Sequence, residues 1–215
     1  MWRGGSRFGP RGLAVHSAFP ALYDCVMRIA ERGRVAEWRR DVVRPAGGDV
    51  LEIAAGTGLD FPHYRAGVTV VATEPDLRML ARARDRAARA DATIVLVAAD
   101  AQALPFRERS FDTVVVGLGL CTIPSPPRAL AELRRVLRPG GVARLLEHVR
   151  LERPIIGWVQ DVATPVWRRI AGGCRLNERS VDTVQRAGFR IDEVRSTLGG
   201  YVVMIEATSL DAGRS

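Results

Sequence analysis

The chain contains no lysine: all 32 of its basic residues are arginine. Against 24 acidic residues this gives a net charge of +8, which taken alone would suit nucleic acid or an anionic surface. So complete a bias toward one basic residue reads as coding composition rather than selection for a phosphate-binding face. The arginines are also spread over predicted helices beside Glu and Asp, as on an ordinary solvated surface, and no nucleic-acid partner is expected. Cysteine is scarce as well. Cys25, Cys121 and Cys174 are far apart, odd in number and form no Cys-x-x-Cys pair, which excludes a disulfide scaffold. The histidines His16, His63 and His148 complete no metal-ligand spacing, and no metal is expected. No run approaches the roughly 18 apolar residues of a membrane span. No apolar segment follows the basic, Gly-rich residues 1–12 as it would in a secretion signal. These absences point to a cytoplasmic protein with reduced thiols and no stable membrane insertion.

At 215 residues and 47% hydrophobic, the chain can bury one good α/β core. Residues 1–12 read as a disordered arm and 13–215 as a single domain with a helical cap over 13–46. Within the cap, Leu22, Val26, Ile29 and Ala30, then Val35, Trp38 and Val42, recur at helical spacing and are broken near Gly33, giving two helices. Strands and helices then alternate. Asp49–Ala55, Thr69–Thr73, Thr93–Ala99, Thr113–Gly117 and Val142–Val149 are short β-branched runs that read as buried parallel strands. Asp76–Arg89 and Arg128–Leu137 are helical, the second stopped by Arg138-Pro-Gly-Gly141. Trp158–Ile170 and Glu178–Ala187 also read as helices, with Pro165 ending or kinking the first. Phe189–Ser196 and Tyr201–Thr208 form an antiparallel pair. The expected fold is a Rossmann-like, doubly wound sheet of about seven strands, mostly parallel, with an antiparallel C-terminal strand and N-terminal helices in front.

Three strand ends carry chemistry. Leu51-Glu-Ile-Ala-Ala-Gly-Thr-Gly58 runs a buried strand into a Gly-rich turn and then a helix, where backbone can approach a ligand closely. A dinucleotide fingerprint starting at Gly56 would need glycine at position 61, where Phe61 stands. Glu52 precedes the glycines, which suits a ligand carrying a cation near the loop. Glu74, in Thr73-Glu-Pro75, ends the second predicted strand, where a carboxylate can accept both hydroxyls of a ribose. Asp100, in Ala99-Asp-Ala101, ends the third and can accept from an adenine amino group, or simply cap a helix.

Together these residues resemble the class I S-adenosylmethionine-dependent methyltransferases from about Val50 to Gly141. The acid-Gly-x-Gly-x-Gly loop of that family appears as Glu52-Ile-Ala54-Ala-Gly56-Thr-Gly58, with Ala54 in place of the first glycine. Phe111-Asp-Thr-Val-Val-Val-Gly117 resembles the fourth strand, and Leu133-Arg-Arg-Val-Leu-Arg-Pro-Gly-Gly141 is a frequent family phrase. The resemblance implies S-adenosylmethionine as cofactor, held by Glu52, Ala54, Gly56, Thr57, Gly58, Glu74, Pro75, Met79, Asp100, Ala101 and Gly117. Glu147-His148-Val149, Trp158, Gln160, Trp167, Gly173-Cys174 and Ala187-Gly-Phe189 resemble a small-molecule subgroup that includes thiol methyltransferases.

After the fourth strand, Gly117-Leu-Gly-Leu-Cys121-Thr-Ile-Pro lacks the Asp/Asn-Pro-Pro-aromatic motif of enzymes that methylate base amines. Cys121 follows Leu120 rather than a proline, so it reads as pocket lining and not as a nucleophile. His148, at the carboxyl end of strand five, is the candidate catalytic base, and His63 reads as structural. Tyr23, Cys121, Trp158 and Trp167 are candidate substrate contacts. The expected function is methyl transfer to a small-molecule acceptor, with a thiol as first choice. N- or O-methylation of a metabolite or lipid headgroup is the alternative within enzymes. Outside that class stand an Arg-rich nucleic-acid-binding protein and a dead cofactor-binding scaffold.

Overall fold

Short β-branched strands alternating with amphipathic helices can bury both faces only as a sheet covered on each side. The computed structural model describes residues 34–210, and seven strands form one sheet there. They are β1 Asp49–Ile53, β2 Thr69–Thr73, β3 Thr93–Val97, β4 Phe111–Gly117, β5 Leu137–His148, β6 Phe189–Thr197 and β7 Val202–Ser209. The spatial order is β3-β2-β1-β4-β5-β7-β6. β1 pairs parallel with β2 and β4, as do β2 with β3 and β4 with β5, whereas β7 runs antiparallel to both β5 and β6. The expected sheet and its antiparallel C-terminal strand are both present. The predicted arm, the first predicted helix and Tyr23 lie outside the described residues.

The helices are α1 Val35–Val43, α2 Leu77–Ala87, α3 Pro126–Val136, α4 Pro154–Ile170 and α5 Ser180–Arg186. Strand alternation sends side chains to two cores. Leu51, Ile53, Val114, Val116 and Leu145 pack with Leu130 and Leu133 of α3 and Val184 of α5. Val50, Val70, Ala72, Val115 and Leu146 pack with Trp38 and Val42 of α1 and Ala83 of α2. Each fully buried aliphatic side chain stabilises the fold by about 1.5–3 kcal/mol before conformational entropy is counted.

Two segments depart from the sequence pattern. No α-helix follows the glycine loop: a 3-10 turn, Phe61–His63, leads toward β2 instead, because Pro62 and Gly67 leave too short a stretch for helical turns. α4 begins four residues early, at Pro154, whose fixed φ suits a first helical position. It also continues through Pro165 to Ile170 rather than ending there. The ring forfeits one bond, to the Asp161 carbonyl, while the adjacent Thr164 hydroxyl donates to the Gln160 carbonyl at 2.7 Å. Among the described residues no helix is long and apolar enough to cross a membrane.

Candidate active site

Strand order reverses between β1 and β4, and in such sheets ligands lie outside the carboxyl ends of the strands at that switch point. The loop after β1 turns sharply there: Ala54, Gly56 and Gly58 have φ of 53°, 58° and 80°. The left-handed demand therefore falls on Ala54 as well as on the two glycines. Its methyl group has room because Gly119, opposite, has none; a Cβ on Gly119 would come within 2.7 Å of the Ala54 Cβ. A Cβ on Gly58 would land on the Phe61 ring, so the buried Phe61 packs over that glycine rather than obstructing a helix. At Gly56 a side chain would meet nothing closer than the Ala54 carbonyl at 4.0 Å, which leaves the backbone there open to a ligand.

A buried polar cluster lies beneath the loop. Glu52 is 1% exposed and accepts from the Tyr64 hydroxyl at 2.8 Å, while its other oxygen has no hydrogen-bond partner among the described residues. Burial, and then the neighbouring Asp60, hold its carboxyl well above the usual range. Asp60 pairs with Arg39 of α1 at 2.8 Å, and both are buried. A Cβ on Gly117 would collide with the Asp60 carboxylate, so that glycine lets the pair reach the end of β4. Sequence reading missed Arg39, Asp60 and Tyr64, which come from α1 and from the two ends of the 3-10 turn. Thr57 is buried, and its carbonyl accepts from Arg86 of α2 at 2.6 Å.

Glu74 stands at the end of β2 and bridges to the loop. Its two oxygens accept from the Gly56 N–H at 3.0 Å and the Asp76 N–H at 2.9 Å. Burial raises its carboxyl, and those two donors offset part of the rise. Pro75 is exposed, and Met79 is half-buried on the first turn of α2. Asp100, past β3, accepts from the Gln102 N–H at 2.9 Å and from the Gln102 side chain. It caps a turn rather than a helix, and Ala101 beside it is buried.

The ends of β4 and β5 form the other wall. Glu147 is fully buried and accepts from the N–H groups of Gly119 at 3.1 Å and Leu120 at 2.8 Å, which pins the loop after β4. Burial pushes its carboxyl up to about 7. His148 stacks on Tyr201 with ring centroids 5.7 Å apart, and its Nε2 lies 3.1 Å from the sulfur of Cys174. The buried Cys121 thiol donates to the same sulfur at 3.8 Å. That hydrogen bond, with help from His148 and Trp167, pulls the Cys174 thiol down to about 4, and Cys121 rises in exchange. Burial alone would lower His148; its contact with Cys174 outweighs this and raises it. The Nε2 of His148, the candidate base, is thus in contact with the Cys174 sulfur. Trp167 reaches this cluster, whereas Trp158 is 63% exposed on an apolar face of α4 with Ile155, Val162 and Val166. His63 sits in the 3-10 turn, away from these residues in sequence and element.

The description "Methyltransferase domain" fits residues 51–145. The demethylmenaquinone methyltransferase of Thermobifida fusca is 36% identical over 169 residues, 73% of this chain and 71% of that protein. This chain belongs to the class I S-adenosylmethionine-dependent methyltransferases. The human thiol S-methyltransferase TMT1B is 34% identical over 148 residues, 65% of this chain and 59% of that protein. Several of the curated relatives are longer, and the chain spans 51%, 54% and 59% of three of them. The fold is shared with a solved S-adenosylmethionine-dependent methyltransferase of Thermotoga maritima, described as a possible histamine N-methyltransferase. Its TM-score is 0.67 at 21% identity, covering 90% of this chain and 99% of that one. The cofactor of this methyltransferase family fits the residues present. The open backbone at Gly56 admits a ligand, and the unpartnered buried oxygen of Glu52 suits one that brings a cation.

Proposed function

We propose that this methyltransferase transfers the methyl group to the sulfur of a small-molecule thiol. The observation that carries this reading is the meeting of Cys121, His148 and Cys174 at the ends of β4 and β5, one loop from the Ala54–Gly119 contact. When bound, the cofactor supplies a methyl group on a sulfonium, a leaving group that needs no acid. In this reading Glu74 takes the ribose hydroxyls and Asp100 the adenine amino group, with Pro75, Met79 and Ala101 flanking the ring. Glu52, Ala54, Gly56, Thr57, Gly58 and Gly117 surround the methionine part. The protein's main task is then to hold donor and acceptor in line. A thiol with pKa about 8.5 is already a few per cent thiolate at neutral pH, so positioning and one hydrogen-bond partner suffice. The His148–Cys174 pair, in contact at 3.1 Å, supplies that partner, and Cys121 lines the site without attacking. The similarity to the human thiol S-methyltransferase supports the assignment.

A second reading is methylation of a quinol-type ring, favoured by the similarity to the Thermobifida demethylmenaquinone methyltransferase. The test is release of S-adenosylhomocysteine from a panel of alkyl and aryl thiols, phenols, amines and a naphthoquinol. Thiols are expected to turn over. Preference for a phenol, an amine or the naphthoquinol with thiols inert would overturn the thiol assignment.

A further inference from the structure

We propose that Cys121, His148 and Cys174 form a three-ligand zinc site whose fourth position is open to the acceptor sulfur. No ligand spacing marks this set in the sequence, and the proposal replaces the expectation that the chain holds no metal. The three donor atoms come from the loop after β4, the end of β5 and the loop after α4, and all lie within 4.8 Å of one another. The two sulfurs are 3.8 Å apart. Two thiolates in a tetrahedral zinc site, each about 2.3 Å from the ion, are themselves about 3.8 Å apart. The His148 Nε2 to Cys174 distance of 3.1 Å is a hydrogen-bond length, and the tetrahedral value is about 3.5 Å. Relative to Cys174, the ring has to withdraw by only a few tenths of an ångström.

Two thiols and an imidazole form a soft donor set that selects zinc over magnesium or calcium. Two thiolates, one neutral imidazole and Zn2+ sum to zero charge, so a half-buried position carries little desolvation cost. Bonds outside the cluster already position the ligands. Glu147 holds the N–H groups of Gly119 and Leu120, the Arg175 N–H donates to the Cys121 carbonyl at 3.1 Å, and its guanidinium donates to the Ile123 carbonyl at 2.9 Å. Tyr201 stacks on the His148 ring. Among the described residues no fourth His, Cys or carboxylate joins the group, and three protein ligands with an open position are the pattern of reactive rather than structural zinc. Resting on the thiol reading above, the chemistry follows. The acceptor thiol binds zinc as thiolate and its proton passes to solvent. The thiolate sulfur forms a bond to the methyl carbon as the methyl–sulfonium bond breaks, and that electron pair stays on the donor sulfur as a neutral thioether.

The test uses the full chain, reduced and stripped with chelator, and titrates it with Co2+ as a spectroscopic probe for zinc. One equivalent should give a thiolate-to-cobalt charge-transfer band and tetrahedral ligand-field bands, both displaced by one equivalent of Zn2+. Cys174→Ser and His148→Gln should each weaken metal affinity by about tenfold or more, while calorimetry with S-adenosylmethionine verifies that both variants remain folded. A spectrum of hydrated cobalt only, or bands that persist unchanged in both variants, would overturn the site. Full thiol turnover by the stripped protein would overturn the role of zinc and leave the thiol reading intact. Cobalt bound by these residues with every thiol inert would remove the acceptor half and leave the metal site standing.

Discussion

The contact between Ala54 and Gly119 makes a quantitative prediction. Gly119→Ala places a methyl group 2.7 Å from the Ala54 Cβ and 3.3 Å from a methyl of Val116, both well inside van der Waals contact. Overpacking of this kind costs about 1–3 kcal/mol. Relief by moving the loop is resisted, because the Gly119 and Leu120 N–H groups are tied to Glu147. Ala54→Gly acts in the opposite direction. A non-glycine residue at φ of 53° carries about 1–2 kcal/mol of strain, and the added freedom of glycine in the unfolded chain returns roughly 0.5–1 kcal/mol of that. The single variant should therefore be neutral to about 1 kcal/mol more stable. The double variant moves the methyl group from one side of the contact to the other and should lose most of the Gly119→Ala penalty, with a coupling of about 1–2 kcal/mol. Urea unfolding of the four proteins, fitted with a common m value, measures the cycle. Additive effects within about 0.5 kcal/mol would mean the two positions are independent, and the complementarity claimed for this contact would be wrong.

Glu74→Ala should weaken S-adenosylmethionine binding at least tenfold by titration calorimetry, from loss of about 1.5–3 kcal/mol of hydrogen bonding to a charged group; unchanged affinity would remove Glu74 from the site. Arg39→Met leaves Asp60 buried without its partner, and urea unfolding should register a loss of about 3–5 kcal/mol, a loss under 1 kcal/mol being incompatible with the buried pair. Glu52 is held well above its ordinary pKa, so its contribution to stability is complete below the unfolded value and is lost as pH rises through the folded one. Glu52→Gln should therefore gain on the parent protein as pH rises, and parallel stability–pH curves would refute the burial argument.

The sequence is most informative where one segment carries the whole feature. β2 occupies Thr69–Thr73 as its β-branched run predicts, and Glu74 ends it because the chain must leave the sheet at Pro75. The seven strands follow from the same alternation, and the antiparallel β6–β7 pair follows from the short connection at Gly199-Gly200. Features that depend on partners from distant segments stay hidden. Nothing local to Ala54 announces a left-handed backbone; the permission comes from a missing side chain at Gly119. Cys121 and Cys174 are 53 residues apart and His148 lies 26 from Cys174, separations that match no ligand motif. The strand order, with β4 beside β5, brings Cys121 near His148, and the loop after α4 adds Cys174. Pro165 does not end the helix: a proline costs a helix one hydrogen bond, and in a helix of 17 residues the remaining bonds and packing outweigh it.

Two non-glycine residues in the left-handed region face the switch point, Ala54 after β1 at φ 53° and Leu118 after β4 at φ 59°. Strain of this kind persists only where surrounding bonds overdetermine the backbone, and both positions are overdetermined. The Leu118 N–H donates to the Leu146 carbonyl at 2.7 Å, and the next two N–H groups are held by Glu147. On the other side, the Ala55 N–H donates to the Thr73 carbonyl at 3.0 Å and the Gly56 N–H to Glu74. Each strained turn is thus clamped by a neighbouring strand and by a buried carboxylate at or beside that strand's end. This explains why Glu74 and Glu147 are buried although burial raises both pKa values. Their oxygens occupy backbone donors that would otherwise be unsatisfied, and in doing so fix the two loops in place. Glu74 is then both a clamp and a ribose candidate. Glu147 is a clamp whose strand neighbour is His148, so both strained loops are tied to the carboxyl ends of the parallel strands.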